Sequence, residues 1–293
     1  MAFCALSEAK GMDIKMIDQR NTAIITYMDG YFVENLEYDF LTSLVDKINY
    51  QGKIVVLDYG MDQADVERLK EKFKIEVHKC NKIVPVFSNR YIDIPNVIDG
   101  FEENITHIMT IDGGDVWFQD KLDSLFESTS NGIGCVEEKR IFGEDNFSDY
   151  CLNKIKKDEK NKIKEALSGK KVRNSGVICG PRNLMREVIS KVSDEIQNNS
   201  KEFFGVDQIY FNYEWYALKD ENRVSLDEIY NFVMVSNADR YVERDGYIFT
   251  DKDKLVTIVH NAGANWRVLK RPFDNKKKNQ EQYMQTRSIK LNK

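Results

Sequence analysis

The chain has 293 residues, enough material for one large α/β domain with a substantial core. Its 42% hydrophobic and 31% charged residues describe an ordinary folded protein, and 4 prolines and 16 glycines exclude collagen-like or Pro-rich linker character. The net charge of -5 argues against nucleic acid as the main partner.

No apolar stretch approaches the roughly 18 residues that a bilayer span requires. Met1 to Arg20 carries Glu8, Asp13 and Asp18 among its apolar residues, which spoils a secretory leader, so a cytoplasmic location is expected. Five scattered cysteines (Cys4, Cys80, Cys135, Cys151, Cys179) with no CxxC pair read as reduced, buried thiols.

Ala23 to Tyr27 is a short, β-branched apolar run, expected as a buried first strand. Asn35 to Asn49 follows with Leu36, Phe40, Leu41, Leu44, Val45 and Ile48 at helical spacing. Lys53 to Asp58 reads as a second strand, Asp62 to Lys74 as a helix and Ile75 to Val77 as a third strand. Strand and helix in alternation with short connections predict a mostly parallel, Rossmann-like sheet flanked by helices. His107 to Asp112 is a further strand, Leu122 to Glu127 a short helix and Gly132 to Val136 a strand. The charged stretch Asp145 to Ser168 is expected to be helical and exposed, as a solvated insertion or an acceptor-facing lid. Arg173 to Cys179, Asn231 to Ser236 and Leu255 to Val259 read as the remaining strands.

From Arg267 to Lys293 nine Lys/Arg residues face only Asp274 and Glu281. That stretch is a solvated extension or an electrostatic foot for anionic lipid or a phosphorylated acceptor, the latter placing the protein peripherally at the inner face of a membrane. The expected organisation is a domain over residues 1–266, with 23–112 as its nucleotide half and 113–266 as its acceptor and sugar half, followed by the basic extension 267–293.

The strongest local signal is Ile111-Asp112-Gly113-Gly114-Asp115-Val116. Ligands of open α/β sheets sit beyond the carboxyl ends of the strands. Two carboxylates joined there by two glycines can converge on one point, because glycine lets the backbone fold tightly. Hard oxygen ligands of this kind suit Mg²⁺ or Mn²⁺, which in turn bind a diphosphate; the same four residues also make an ordinary turn. Far downstream the apolar run Val256 to Val259 ends in His260, one of only three histidines, ahead of Asn261-Ala262-Gly263. Its neutral imidazole suits Mn²⁺, and the plainer reading is a hydrogen-bonded loop histidine. Between them lie Asn174-Ser175-Gly176-Val177 at the start of a strand and Asp207-Gln208 at the start of an amphipathic helix. Asp207 is a helix cap or a ligand for substrate hydroxyls.

The order of these motifs resembles the GT-A glycosyltransferases, in particular the group of glycogenin and the bacterial lipopolysaccharide glucosyl- and galactosyltransferases. The resemblance spans about Ala23 to Trp266. It implies a GT-A nucleotide-diphospho-sugar transferase fold and transfer of a sugar from a nucleotide-sugar donor, UDP-linked by preference, to a glycan, lipid-linked or protein acceptor. It implies Asp112, Asp115 and His260 as ligands of Mn²⁺ or Mg²⁺. By the same resemblance Asn174, Ser175, Asp207 and Gln208 belong to the sugar site, and Thr26, Tyr27 and Asp58 lie near the nucleoside. Gly113 and Gly114 of the acidic turn are substrate-binding, and Gly263 and Arg267 approach the diphosphate. Retention at the anomeric carbon is the implied outcome; an inverting route would use Asp207 as general base. The chain departs from the group in two places: two residues, not one, separate the carboxylates, and Asn265-Trp266-Arg267 stands where Lys-Pro-Trp is usual. Three other readings are a sugar- or nucleotide-binding subunit without catalysis, a sugar-nucleotide nucleotidyltransferase and a nucleic-acid binder anchored by the basic stretch. The second is disfavoured because Met28-Asp29-Gly30-Tyr31-Phe32 after the first strand lacks a basic residue, and the third because the basic stretch has few interleaved aromatics beyond Trp266, Phe273 and Tyr283.

Overall fold

The structure is a computed structural model and describes residues 17–199 and 205–262. Cys4, Gly263, Arg267 and the rest of the basic stretch to Lys293 lie outside the described residues.

Strands form close to where the sequence places them at β1 (Thr22–Met28), β2 (Lys53–Asp58), β3 (Glu76–Lys79), β4 (His107–Ile111), β6 (Ile133–Ile141) and β7 (Lys171–Pro181), while β5 (Val116–Phe118) and β8 (Arg223–Leu226) have no counterpart among the expected strands. Seven of them form one sheet in the order β3-β2-β1-β4-β7-β6-β8. Six run parallel, and β7 alone runs antiparallel to both of its neighbours. Successive residues of a strand point to opposite faces. Ile25, Leu57 and Ile108 therefore pack with Ile94, Ile98, Val188 and Ile189 on one side. Ile24, Val56 and Met109 pack with Leu36, Phe40, Leu44 and Phe73 on the other. Burial of both faces is why these strands read as unbroken apolar runs and not as alternating ones.

The flanking helices are α1 (Val33–Asn35, continued over Leu36–Lys47 as a wider π-type coil), α2 (Gln63–Phe73), α3 (Val86–Asp99), α4 (Asp123–Ser128), α5 (Asn146–Leu152), α6 (Lys157–Leu167), α7 (Arg182–Asn199) and α8 (Val206–Ala217). Two of them, α3 and α7, have no counterpart among the expected elements. Pro95 sits inside α3, and a proline disfavours helix for the residue before it, which hides this helix from pattern reading. The charged stretch expected over Asp145 to Ser168 is α5 and α6, and Cys151, Leu152, Ile163 and Leu167 bury one face of the pair. It is thus helical but only half solvated.

A second sheet, of β5, β9 (Phe232–Val233) and β12 (Ile258–His260), runs in the order β5-β12-β9. Only two residues of the strand expected over Asn231 to Ser236 are extended; Met234–Asn237 closes into a 3₁₀ turn. Likewise, Leu255 makes a single bridge to Phe249 before β12 begins. A hairpin of β10 (Tyr241–Arg244) and β11 (Tyr247–Thr250) turns through Asp245 and Gly246, both at positive φ as a two-residue hairpin turn demands. Of the described cysteines, Cys135, Cys151 and Cys179 are buried free thiols and Cys80 is half-buried and free. Among the described residues no helix is long and apolar enough to cross a membrane.

Candidate active site

The site forms where β4 and β12 end, beside the start of β5 and the first half of β7. Asp112 follows β4, and its N–H donates to the Gly176 carbonyl at 2.9 Å, extending the β4–β7 pairing by one residue. The antiparallel course of β7 thereby lays Asn174, Ser175 and Gly176 alongside Asp112. Asp115 precedes β5, whose Val116 pairs with His260 of β12, while the Asn261 N–H donates to the Asp115 carbonyl at 2.8 Å. A strand register, not proximity in sequence, thus brings the late histidine to the acidic turn.

That turn needs its glycine. A Cβ on Gly113 would lie 2.5 Å from Thr26 Oγ1 and 2.6 Å from the Tyr27 carbonyl oxygen. Folded tightly onto β1, the turn presents Asp112 and Asp115 with His260 so that their ligating atoms all lie within 4.8 Å of one another. His260 Nε2 stands 3.4 Å from Asp112 Oδ2 and 3.6 Å from Asp115 Oδ1, buried and without a hydrogen-bond partner of its own. Two carboxylates and an unpartnered imidazole nitrogen facing one point form a donor set of mixed oxygen and nitrogen, which fits a divalent ion of the Mn²⁺ type. Gly176 closes the back of this cluster. A Cβ there would run into the His260 ring, with Asn174 Oδ1 at 2.9 Å and Asp112 Oδ2 at 3.0 Å. Gly176→Ala is therefore expected to cost about 1–3 kcal/mol of stability by overpacking. It should also weaken divalent-ion binding, and thermal melts with and without Mn²⁺ would show both effects together.

Beside the cluster lies a buried cation. Arg90 of α3 contacts Asp112 Oδ1, donates to the Ser175 carbonyl at 3.1 Å and stands 3.8 Å from Asp207 Oδ2. Its guanidinium lies over the rings of Tyr27 and Tyr91, at 4.8 and 5.0 Å from their centroids. Tyr27 adds a hydroxyl donated to Asp112 Oδ1 at 3.1 Å. Burial works against the Asp112 carboxylate, but Arg90 and His260 outweigh it and hold its pKa well below the usual range. For His260 burial opposes the charged form, yet Asp115 and Asp112 raise its pKa above the ordinary value. For Asp207 burial, helped by the nearby charge of Asp112, outweighs the more distant Arg90 and the backbone N–H groups at its own helix start, and pushes its carboxyl up to about 6.

Asp207 and Gln208 open α8, which the side-chain amide of Asn212 pins to β7 by bonding both the N–H and the carbonyl of Arg173, at 2.7 and 2.8 Å. From there Gln208 reaches Ser175 Oγ at 3.5 Å and Glu138 Oε1 at 3.1 Å. Asn174, Ser175, Asp207 and Gln208 thus come together beside Arg90 and Asp112. Thr26 and Tyr27 line the same cluster through β1. Asp58 sits two strands away in the sheet order, its carboxylate accepting the N–H groups of Gly60 and Met61 at 2.8 and 2.6 Å. Gly114 packs on Phe32 in the loop after β1. Sequence reading missed Arg90, Glu138 and Asn231, each a polar residue buried or half-buried in this network.

No protein-family model matches the sequence, and no curated protein sequence does either. Solved structures do match. The galactosyltransferase LgtC, in complex with donor and acceptor sugar analogues, aligns with a TM-score of 0.56 at 15% identity, over 90% of this chain and 94% of that one. The glycosyltransferase GlyE of Streptococcus pneumoniae aligns at 0.53 and 16% identity, covering 90% of this chain and 59% of its own. The bifunctional glycosyltransferase WbbM gives 0.52 and 13% identity, over 83% of this chain and 46% of that one. At such identities the likeness speaks for architecture, and on that ground the chain has the GT-A-type fold of these glycosyltransferases.

Proposed function

We propose that the chain is a glycosyltransferase that moves a sugar from a nucleotide-sugar donor, a UDP-sugar by preference, to a glycan, lipid-linked or protein acceptor in surface polysaccharide synthesis. The observation that carries this reading is the convergence of Asp112, Asp115 and His260 at the strand ends of a glycosyltransferase fold. Mn²⁺ or Mg²⁺ held by these three residues would neutralise charge on the departing nucleoside diphosphate. The other roles belong to the chain itself. Thr26, Tyr27 and Asp58 hold the nucleoside at the ends of β1 and β2, which makes residues 23–112 the nucleotide half. Asn174, Ser175 and Gln208 hold sugar hydroxyls from the second half, residues 113–266. Gly263 and Arg267 approach the diphosphate, and the basic segment beyond them serves as a foot for anionic lipid or a phosphorylated acceptor. Arg90 keeps the half-buried Asp112 and the buried Asp207 charged beside the reacting carbon.

Asp207 serves in either stereochemical course. With retention, the favoured outcome, its carboxylate stabilises the oxocarbenium-like sugar; with inversion it takes the proton of the acceptor hydroxyl. Because its pKa is raised to about 6, Asp207 is neutral below that pH and charged above it. Donor turnover is expected to fall by about tenfold per pH unit below this value and to level off above it. Asp207→Asn should lower the plateau and leave only the acid loss that protonation of His260 causes, as initial rates between pH 5 and 8 would show.

The test of the class is nucleotide release from UDP-, GDP-, CMP- and TDP-sugars with Mn²⁺ and with chelator. Metal-dependent release from one donor supports the reading and names base and sugar together. Absence of release and of thermal stabilisation by every donor with Mn²⁺ would turn the reading toward a binding subunit.

A further inference from the structure

Resting on the metal-site reading above, we infer that Asn231 is a positioning residue that fixes which nitrogen of His260 faces the two aspartates. The direction is set by a chain of hydrogen bonds beginning at a main-chain group. The Gly176 N–H can only donate, so the atom of Asn174 it meets at 2.8 Å is the carbonyl oxygen Oδ1. Asn174 Nδ2 then donates to Glu138 Oε1 at 2.9 Å. The Glu138 carboxylate only accepts: from Asn174, from Gln208 Nε2 at 3.1 Å, and through Oε2 from Arg140 Nε at 2.7 Å. Asn174 is thus locked from both ends and cannot turn over.

The lock passes along the chain. Asn174 Oδ1 also accepts from Asn231 at 2.7 Å, and the atom presented by Asn231 must therefore be its amide nitrogen. Its own oxygen is left facing His260 Nδ1 at 2.8 Å. Only a protonated Nδ1 satisfies that oxygen. The opposite tautomer would press two lone pairs together between two residues that are 1% and 2% exposed, where water cannot relieve them. A neutral His260 therefore carries its proton on Nδ1 and its lone pair on Nε2, which faces the carboxylates of Asp112 and Asp115, 21% and 29% exposed, where water or a cation can stand between the acceptors. Asn231 opens the segment Asn231–Val233 whose strand pairs with β12, so the same backbone register that delivers His260 also delivers the residue that orients it. Aspartate at 231 would still accept from Nδ1 but would set an acceptor against Asn174 Oδ1, which accounts for an amide at this position.

The chain's three histidines make the tautomer directly readable by side-chain ¹⁵N NMR of metal-free protein at pH 9, with His78→Gln assigning one of the others. The expected wild-type spectrum shows Nδ1 protonated and Nε2 bare. In Asn231→Leu the Nδ1-protonated form should give way to a mixture, with Mn²⁺ affinity, read by EPR of free ion, falling about 10–100-fold. Asn231→Asp should keep the wild-type tautomer and lose less affinity than the leucine variant. A wild-type His260 protonated on Nε2 overturns the inference, as does a leucine variant with unchanged tautomer and affinity. Should the leucine variant not fold, loss of the Nδ1-protonated form in Asn231→Asp overturns it as well. Wild-type protein that shows the expected tautomer yet binds no Mn²⁺ would uphold the relay and remove the metal reading instead.

Discussion

Replacing His260 with alanine is expected to lower Mn²⁺ affinity by at least about a hundredfold and to abolish metal-dependent donor turnover, with the fold left in place. Loss of a supporting partner behind a ligand typically costs 10–100-fold, and loss of the ligand itself costs no less. The stability cost should stay modest. His260 gives up one hydrogen bond, to Asn231 Oδ1, and leaves that oxygen without a donor, a penalty of about 1–3 kcal/mol. Asp115→Ala should behave alike for metal and turnover. Its carboxylate lies at the open side of the cluster, with its side chain 29% exposed, and its removal leaves Asp112 beside both His260 and Arg90. Asp112→Ala is the less informative variant because Arg90 and Tyr27 both bond to Asp112, and its loss confounds metal binding with unfolding. The measurement is Mn²⁺ titration followed by EPR, with thermal melts of the same samples. Wild-type affinity in the His260 variant would remove that residue from the metal site.

How much of this was legible beforehand differs by kind of signal. The strands that carry the sheet were readable because burial on both faces leaves unbroken apolar runs, as in Ile54 to Leu57. Asp112, Asp115 and His260 were readable as types: carboxylates and a histidine at the ends of such runs. Their convergence was not contained in any local pattern, because it depends on β5 pairing with β12 in one register. Glu138 and Asn231 had no sequence signal, since a buried hydrogen-bond network follows the contacts of distant chain segments and imposes no periodicity. Arg90 was hidden for a second reason. Its helix carries Pro95, and with the helix itself hidden a single arginine near Phe87, Tyr91 and Ile94 carries no signal of its own. In the structure that position is buried, and the charge is explained only by the two carboxylates it meets.

That burial gives Arg90→Met the largest expected effect on stability. The substitution keeps most of the volume but leaves Asp112 and Asp207 without their shared cation, and breaking a buried charge pair from one side costs about 3–5 kcal/mol. At about 2–4 °C per kcal/mol for a chain of this size, melting should fall by on the order of 10 °C. Two further consequences separate this account from simple loss of packing. Arg90 is among the influences that pull the Asp207 pKa down, so in its absence the carboxyl should titrate above 6 and the acid limb of any residual activity should move to higher pH. Arg90 also competes with a metal ion for the charge of Asp112. Without it, two uncompensated carboxylates should make added Mn²⁺ more stabilising than in wild type, because a ligand that binds only the folded state stabilises it with the logarithm of its affinity. A packing defect alone would lower melting equally with and without Mn²⁺ and leave the pH profile in place, and that pattern would show that Arg90 fills space without balancing charge.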